Sequence, residues 1–507
     1  MQRLFALLLL VLVASCARLP QRADLPEQLA LAPAMQGSIA ERLVPAEARH
    51  KGQSGFRLVS TGSEAYALRA FSSRAAQQSI DIQTYIWHAD LTGKLLARHA
   101  LAAADRGVRV RILVDDLDAR AKSNGFAALD AHPEIEVRLY NPFASRSGKM
   151  RKAGEMGAGF KRLNHRMHNK SWIVDNRIAM VGGRNLGDEY FGASEATNFV
   201  DLDLFMAGPI VPEVSASFDR FWNSPSNYPV AQLDPSGTDV AALKRLRVSL
   251  DQSVELLKTS PYKNVLIENP AVQDILRDGT RLNWTADWQF VSDDPLKAQL
   301  EPGQRSAVLA VLLPALLAVQ SELRLISPYF VPGKQGTLEL VKIARRGAQV
   351  KILTNSLAAN DVAAVHAGYK KYRPDLLKGG VQIWELKPDG KKPGGYSLSG
   401  SSGSSLHTKA AIFDSTRIFV GSYNLDPRST SLNSEQGVLV SDSALASELA
   451  GLFAMEIKGD ESWQVRQMPD GLEWDDGSRT WDHDPEAPAS KRFMAWLIGL
   501  LPVEAQL

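Results

Sequence analysis

The order of apolar and polar residues predicts a strand–helix–strand unit in the first half of the chain. Residues 80–86 alternate as a half-buried strand does, 91–105 follow the helical period and stop at Gly107, and 108–114 are again strand-like. A helix that begins at a Ser63 cap precedes the unit. Two strands joined by such a helix are predicted to lie in a parallel or mixed sheet that helices cover.

The same unit recurs in the second half of the chain. Residues 323–326 and 350–353 are predicted strands on either side of a helix at 336–346. The stretch 106–113 (RGVRVRIL) aligns without a gap with 346–353 (RGAQVKIL). A long unit made twice indicates a duplicated domain rather than a solenoid. The predicted fold is therefore α/β, with two similar α/β/α lobes, each a mixed sheet flanked by helices.

The other segments are arranged around these two lobes. The chain is divided into a first lobe, an insertion of weaker periodicity, a second lobe and a C-terminal segment, at 51–225, 226–305, 306–460 and 461–507. The last segment is expected to hold a hairpin at Asp475-Asp476-Gly477 and an apolar helix that begins with Lys491 and Arg492. That helix has two alternative interpretations: it packs on the second lobe, or it lies flat in a membrane interface.

Composition restricts the kinds of protein that this chain can be. Its 507 residues, 45% of them hydrophobic, exclude a disordered or coiled-coil chain. The 58 Lys and Arg residues nearly balance 56 Asp and Glu residues, which argues against a protein that coats nucleic acid with its whole surface. A single cysteine excludes an internal disulfide and a metal site built on several thiolates.

That cysteine lies at the end of an N-terminal export signal. Arg3 precedes an apolar run from Leu4 to Val13, and the small residues Ala14 and Ser15 lead into Cys16. An ordinary buried helix is the alternative. The stretch 13–16 resembles a bacterial lipobox, which implies a signal peptide at 1–15, lipidation of Cys16 and a tether at 16–50. By the same resemblance, Ala17 favours a lipoprotein that faces the periplasm from the outer membrane.

Two copies of one polar motif carry the candidate chemistry. The first is His168-Asn169-Lys170 with Asp175, and the second is His407-Thr408-Lys409 with Asp414. Each copy follows a matched strand–helix–strand unit, and each histidine is followed seventeen residues later by an asparagine, Asn185 or Asn424. One copy alone would indicate a solvated strand edge, whereas the duplication indicates a functional site.

The spacing of the motif assigns different tasks to its members. In a strand, His168 and Lys170 share one face, whereas Asp175 lies at an odd offset and points away, at the turn of a predicted hairpin. The aspartates Asp175 and Asp414 are therefore expected to be structural. A carboxylate later in the same lobe is expected to orient each histidine, Asp201 or Asp203 for His168 and Glu435 for His407.

With these paired motifs the chain resembles the phospholipase D superfamily over most of 51–460. The resemblance implies that the lobes pack about a pseudo-twofold axis, with one active site at their interface. It implies that His168 attacks the phosphodiester and that His407 is the general acid and base, with Asp201 and Glu435 orienting the imidazoles. Phosphate oxygens would be held by the two lysines and by Asn185, Asn424 and Ser422, although Gly183 replaces the serine in the first lobe. No metal or other cofactor is implied.

The residues around the motifs are similar to those of the bacterial cardiolipin synthase group, most closely its C-type branch. The similar stretches are 164–170, 183–191 and 421–429. That group implies transfer of a phosphatidyl group from phosphatidylethanolamine to phosphatidylglycerol at a membrane surface, with no nucleic acid partner. The alternatives are a hydrolytic phospholipase D, an exported nuclease-type phosphodiesterase and a catalytically inactive scaffold.

Overall fold

Two lobes, each built on one mixed sheet, form the computed structural model of the chain. The structure describes residues 19–119, 123–146, 154–157, 159–270, 272, 281–301, 304–360, 362–388, 404–501 and 504. The predicted signal peptide and Cys16 lie outside these residues. The described part of the predicted tether lies against the first lobe, where Gln28 Nε2 donates to Glu136 and Ala30 N–H donates to Asp219.

The described residues form 21 strands and 18 α-helices. The strands are β1 (Ser54–Val59), β2 (Ser79–Thr84), β3 (Arg109–Asp115), β4 (Ile135–Tyr140), β5 (Ser171–Val174), β6 (Ile178–Gly182), β7 (Asn198–Val200), β8 (Asp203–Ala207), β9 (Asn227–Pro229), β10 (Asn283–Thr285), β11 (Trp288–Ser292), β12 (Glu322–Ile326), β13 (Gln349–Asn355), β14 (Gln382–Leu386), β15 (Ser404–Leu406), β16 (Ala410–Phe413), β17 (Arg417–Gly421), β18 (Gln436–Ser441), β19 (Ser462–Met468), β20 (Gly471–Asp475) and β21 (Thr480–Trp481).

The helices cover the sheets and connect their strands. They are α1 (Ser38–Arg49), α2 (Gly62–Ala75), α3 (Leu91–Ala104), α4 (Asp116–Ala119), α5 (Ser123–Asp130), α6 (Phe160–Leu163), α7 (Asp188–Phe191), α8 (Ile210–Trp222), α9 (Val230–Leu233), α10 (Val240–Thr259), α11 (Tyr262–Glu268), α12 (Ala307–Leu317), α13 (Gly333–Arg345), α14 (Ala363–Lys370), α15 (Arg373–Lys378), α16 (Pro427–Ser431), α17 (Ser443–Glu456) and α18 (Ala489–Gly499). In this part of the chain, none of them combines the length and the apolar composition that crossing a bilayer requires.

Six strands follow the same order in the two sheets. The first sheet contains β8-β6-β5-β2-β3-β4, and the second contains β18-β17-β16-β12-β13-β14. In each set the last three strands run parallel and the others pair antiparallel. The predicted pair of similar lobes with mixed sheets is thus confirmed.

Local sequence explains where these elements begin. β2 is buried along its whole length, which suits a strand covered on both faces. The helix α2 begins earlier than the Ser63 cap predicted, because the Thr61 hydroxyl accepts the Glu64 N–H at 3.3 Å. The helix α3 starts at Asp90, whose carboxylate accepts the Gly93 N–H at 3.0 Å.

The segment 226–305 is divided between the lobes in the structure. β9 pairs with β4 and β10 pairs with β1, so both extend the first sheet. β11 pairs with β18 and so extends the second sheet. The C-terminal strands β19 to β21 extend the second sheet further, and the predicted hairpin at Asp475-Asp476-Gly477 is the connection between β20 and β21.

The two lobes share a hydrophobic core where they meet. One buried cluster joins Ile173 and Phe221 of the first lobe to Ile326, Ile412 and Phe453 of the second. Burial of apolar side chains is the main favourable contribution to folding, so this shared core holds the lobes in a fixed relation. The lobe boundary is consequently a rigid place on which to assemble polar groups.

Each motif aspartate fastens the turn of its hairpin to a neighbouring strand. Asp175 and Asn176 form the turn between β5 and β6, with φ of 55° and 49°, and Asp414 forms the equivalent turn with φ of 49°. The Asp175 carboxylate accepts the backbone N–H groups of 77, 78 and 79 at 2.8 to 3.1 Å. Asp414 likewise accepts those of 320, 321 and 322. Both aspartates lie at the far end of their strand from the histidine.

Substitution Asp175→Ala is expected to lower the free energy of unfolding by about 2–4 kcal/mol, because three backbone donors lose a buried acceptor. Denaturation in urea measures the loss. In Asp175→Asn one acceptor oxygen remains, and a smaller loss is expected. A change below about 0.5 kcal/mol in the alanine variant would contradict this structural role.

Candidate active site

Both motif histidines are held at the lobe boundary by backbone contacts with the other lobe. The His168 N–H donates to the Ser434 carbonyl at 2.9 Å, and the His407 N–H donates to the Val200 carbonyl at 2.8 Å. Next to His407, β15 pairs in parallel with β7 of the first lobe. Each motif therefore reaches across the boundary. The charge of Lys409 acts on His168 and that of Lys170 acts on His407, so the two motifs lie in one site.

The His168 imidazole is bound by a buried carboxylate of the second lobe. Its Nδ1 lies 2.8 Å from Glu435 Oε2, and the Glu435 side chain has no exposed surface. Burial alone raises the pKa of Glu435, but His168, Lys170 and Ser422 outweigh it and hold that pKa below its usual range. Because an ionised carboxylate only accepts hydrogen bonds, Nδ1 carries the proton and Nε2 keeps a lone pair.

The His407 imidazole is bound in the same way by a carboxylate of the first lobe. Its Nδ1 lies 2.6 Å from Asp201 Oδ2. Burial opposes ionisation of Asp201, yet His407 and Lys409 bring its pKa below the usual value. The Asp201 side chain is fully buried, whereas the His407 side chain keeps 15% of its surface exposed. The imidazole thus faces the opening of the site and the carboxylate lies behind it.

The predicted pairing of carboxylates with histidines was wrong. Glu435 contacts His168 rather than His407, and Asp201 contacts His407 rather than His168. The alternative, Asp203, forms an ion pair with Arg69 at 2.9 Å instead. The physical reason is that parallel pairing across the boundary places each histidine beside the other lobe's strand end. Each half of the site is therefore incomplete without the other lobe.

Burial lowers the basicity of both histidines and of a motif lysine. It lowers the pKa of His168 to about 4, against the opposing charge of Glu435. It also lowers the pKa of His407, with Lys409 acting in the same direction. Burial, together with the charge of Lys409, brings the pKa of Lys170 to about 7. An anion that enters the site adds negative charge near these groups and favours their protonated forms.

Each motif lysine donates to the backbone carbonyl of its motif histidine and keeps further donors. Lys170 Nζ donates to the His168 carbonyl at 2.6 Å, and Lys409 Nζ donates to the His407 carbonyl. Lys170 Nζ also lies 5.5 Å from the centre of the Tyr85 ring. An ammonium group has three donors, so each lysine retains capacity for phosphate oxygens.

The residues predicted to contact phosphate alongside the lysines occupy different surroundings. The Ser422 hydroxyl donates to Glu435 Oε2 at 2.5 Å, so it positions that carboxylate. The Asn185 amide donates to the Tyr190 hydroxyl at 2.9 Å. Asn424 Oδ1 is buried and has no hydrogen-bond partner among the described residues. An amide oxygen only accepts hydrogen bonds, so a phosphate contact by Asn424 would use its NH2 group.

The difference between Gly183 and Ser422 has a steric explanation. A Cβ atom on Gly183 would lie 2.1 Å from Asp201 Oδ1. Asp201 has a shorter side chain than Glu435, so its carboxylate lies nearer to its own backbone. The second lobe instead combines the longer glutamate with Ser422 and Ser429, whose hydroxyls both donate to it. Glycine is therefore needed where the shorter acid is used.

Two tyrosines beside the imidazoles were missed by sequence reasoning. The Tyr85 ring lies edge-on to His168, with 5.2 Å between ring centres, and the Tyr190 ring lies edge-on to His407 at 5.3 Å. Tyr85 follows β2, the neighbour of the strand that His168 precedes. The position of Tyr85 next to that strand could have indicated that it lies near His168. No sequence pattern indicated the position of Tyr190.

The described residues include one trio with the spacing of metal ligands. His88, Asp90 and Glu189 approach one another, but neither motif histidine belongs to the trio. Asp90 already accepts the N–H groups of Gly93 and Asp188, and His88 Nδ1 lies 2.9 Å from Glu189 Oε1. These bonds account for the trio without an ion.

Comparison with known proteins agrees with this geometry. The family described as "Cardiolipin synthase, PLD-like domain" matches residues 73–222 and 312–457, which span both motifs. The chain belongs to this family. It is 38% identical over 475 residues to Cardiolipin synthase C of Escherichia coli K12, covering 92% of this chain and 99% of the relative.

Further relatives extend the comparison. An uncharacterised Helicobacter pylori protein is 31% identical over 418 residues, 80% of each chain. The crystal structure of phosphatidylserine synthase from Haemophilus influenzae superimposes with a TM-score of 0.53 at 13% identity, covering 92% of this chain and 100% of that one. As a member of the family, the protein is a phospholipase D-type phosphatidyltransferase of the cardiolipin synthase kind.

The low pKa of Lys170 predicts how activity of this phosphatidyltransferase depends on pH. The charged ammonium is present below about pH 7 and is lost as the pH rises through that value, so kcat/KM is expected to fall on the alkaline side. In Lys170→Arg the guanidinium stays charged, and the alkaline fall should move to higher pH even if the rate is lower. Profiles of kcat/KM between about pH 5 and pH 9 test this. An identical alkaline limb in both proteins would assign it to another group.

Proposed function

We propose that the protein makes cardiolipin by transferring a phosphatidyl group to phosphatidylglycerol through a phosphohistidine on His168. The observation that carries the proposal is the pair of cross-lobe contacts, His168 with Glu435 and His407 with Asp201. They provide two oriented imidazoles in one site, as a double-displacement reaction requires. The likeness to Cardiolipin synthase C supports the choice of product.

In the first proposed step His168 replaces the head-group alcohol on phosphorus. The Nε2 lone pair attacks phosphorus, a nitrogen–phosphorus bond forms and the bond to the leaving oxygen breaks. His168, with its pKa of about 4, is neutral at physiological pH, as a nucleophile must be. His407 gives a proton to the leaving oxygen, and the ionised Asp201 stabilises the protonated form of His407 beforehand.

In the second proposed step His407 takes a proton from the free hydroxyl of phosphatidylglycerol. That oxygen attacks phosphorus, the nitrogen–phosphorus bond breaks and neutral His168 is regenerated. The lysines Lys170 and Lys409 stabilise the charge on the non-bridging oxygens in both steps. If water takes the place of the lipid hydroxyl, the same steps release phosphatidic acid.

An apolar cleft supports a lipid rather than a nucleic acid substrate. A space of about 230 Å³ lies between the lobes, and Asp201 forms part of its wall. Phe199, Leu406, Leu449 and Phe453 are among the apolar side chains that line it. Acyl chains are the apolar part of a phospholipid, and such a surface suits them better than it suits phosphates and bases.

The test is product analysis with the purified enzyme in mixed vesicles of phosphatidylethanolamine and phosphatidylglycerol. Mass spectrometry is expected to find cardiolipin and a loss of phosphatidylethanolamine. Phosphatidic acid without cardiolipin would replace the proposal with a hydrolase. Cleavage of DNA with untouched lipid would overturn both lipid activities.

We also propose that lipid on Cys16 anchors the enzyme to a membrane on its periplasmic side, with the outer membrane favoured. The run of small residues before Cys16 supports this, as does the export signal. Mass spectrometry of the N-terminal peptide is expected to show a cysteine that carries lipid. Cys16→Ser should lack that mass while phosphatidyl transfer in detergent is retained, and Ser15→Ala, which keeps the thiol, is the control. A lipid-free Cys16 in the wild-type protein would contradict the anchor.

A further inference from the structure

The C-terminal helix α18 exposes a continuous apolar stripe. Phe493, Trp496, Leu497 and the residue that caps the helix, Leu500, recur at helical spacing and are 59%, 56%, 42% and 65% exposed. The rings of Phe493 and Trp496 lie next to each other, with 5.7 Å between their centres. Ala495, on another face of the helix, is buried. The helix thus packs through a small residue and presents its large apolar side chains outward.

This stripe belongs to a helix that is firmly attached. Lys491 Nζ donates to the carbonyls of Ala358 and Asn360 at 3.0 and 2.8 Å. Just before the helix, the buried Asp484 lies 3.2 Å from both His366 and Arg373. Buried charges need such partners, so this network fixes the start of the C-terminal segment on the second lobe. The exposure of the stripe is therefore a property of the folded protein.

The attachment points connect the start of α18 to the strand that precedes His407. The Ser405 hydroxyl donates to the Ala359 carbonyl at 3.2 Å, and Ser405 is two residues before His407. Asn355, at the end of β13, makes hydrogen bonds to both the N–H and the carbonyl of Leu406. A single loop, 355–360, thus joins the β15 strand that precedes His407 to the start of α18.

We propose that α18 docks on the surface of a phospholipid bilayer and so places the mouth of the active site against its lipid substrate. This choice of occupant rests on the proposed function, because the substrates of that reaction reside in a bilayer. At 11 residues the helix is about 16 Å long, so it would lie flat rather than span the bilayer.

The side-chain chemistry of α18 fits a bilayer better than a second protein. Phe493 and Trp496 are typical of the apolar face of interfacial helices, and Arg492 adds a positive charge near the start of the same helix. An anionic lipid surface attracts such a charge by about 1 kcal/mol. The stripe lies on the outer side of one helix rather than in a groove. A flat surface such as a bilayer can therefore reach it.

The single cysteine of the chain allows a direct test with fluorescent labels. In full-length protein carrying Cys16→Ser, a polarity-sensitive fluorophore is attached to Phe493→Cys or Leu500→Cys. The control is Val248→Cys, a residue 59% exposed on α10, which packs against the first lobe. Vesicles of phosphatidylethanolamine and phosphatidylglycerol are expected to shift the emission of both α18 probes to shorter wavelength, and spin-labelled lipids should quench them. The control probe should do neither.

A loss-of-binding variant completes the test. In the same Cys16→Ser background, Phe493→Ser combined with Trp496→Ser and Leu500→Ser should weaken vesicle binding about tenfold or more, because apolar area no longer enters the interface. Hydrolysis or transfer of a monomeric short-chain phospholipid should stay within about twofold, since the reacting groups are untouched. The matched variant Val248→Ser with Leu256→Ser should bind vesicles as the parent does.

Several outcomes would overturn the docking proposal. Emission from the α18 probes that does not change when vesicles are added would overturn it directly. A shift that appears without vesicles and grows with protein concentration would assign the stripe to a second copy of the chain. A shift without vesicles at every concentration would assign it to another segment of the same chain. Because the probes report no chemistry, docking without cardiolipin formation would refute only the proposed function.

Discussion

Replacement of His168 by alanine is expected to lower phosphatidyl transfer by about 10⁴-fold or more. The same loss is expected for His407→Ala. In the proposed reaction the first histidine forms the bond to phosphorus and the second moves both protons, so neither has a substitute in the site. Rates of cardiolipin formation in mixed vesicles measure the effect. His483→Ala, in an exposed C-terminal loop, is the control and should leave the rate unchanged.

The two variants should fail at different steps. With a phosphatidyl ester of p-nitrophenol, whose departure needs no added proton, His407→Ala is expected to release one equivalent of p-nitrophenolate and then stop. His168→Ala should release none. Acid-labile label on the protein would mark the nitrogen–phosphorus intermediate. Substantial steady turnover in either variant would refute a site shared by both histidines.

Much of the fold and of the motif geometry could be predicted because it is local. Strand alternation sends Asp175 to the turn of the hairpin, and the structure has the same arrangement. The repeat around Gly107 and Gly347 indicated two matching lobes, and both glycines have positive φ, of 88° and 101°. These features depend on neighbours within one hairpin or one strand–helix–strand unit.

The pairing of acids with histidines could not be predicted because it is tertiary. Nothing within a lobe indicates that Ser434 pairs with Met167, or that β7 pairs with β15. The Glu435 carboxylate accepts the Ser422 hydroxyl of its own lobe and, at the same oxygen, His168 Nδ1 of the other lobe. Proximity in the sequence favoured an acid of the same lobe as the partner of each histidine. In the folded protein the acid comes from the other lobe.

The crossed pairing makes a second prediction of large effect. Asp201→Asn and Glu435→Gln should each lower phosphatidyl transfer by about 10³–10⁴-fold, because an amide no longer fixes the imidazole tautomer or stabilises its protonated form. Each carboxylate raises the pKa of its own histidine against burial, so its loss lowers that pKa further. For Asp201→Asn the residual activity should therefore have its optimum at lower pH, where His407 can still be protonated.

The p-nitrophenyl ester shows which histidine each carboxylate serves. Asp201→Asn should behave as His407→Ala does, with one equivalent of p-nitrophenolate released before the reaction stops. Glu435→Gln should behave as His168→Ala does and release almost none. If the acids served the histidines of their own lobes, the two phenotypes would be exchanged. The contacts of 2.6 Å to His407 and 2.8 Å to His168 require the crossed result, so an exchange would mean that the lobes meet differently in the working enzyme.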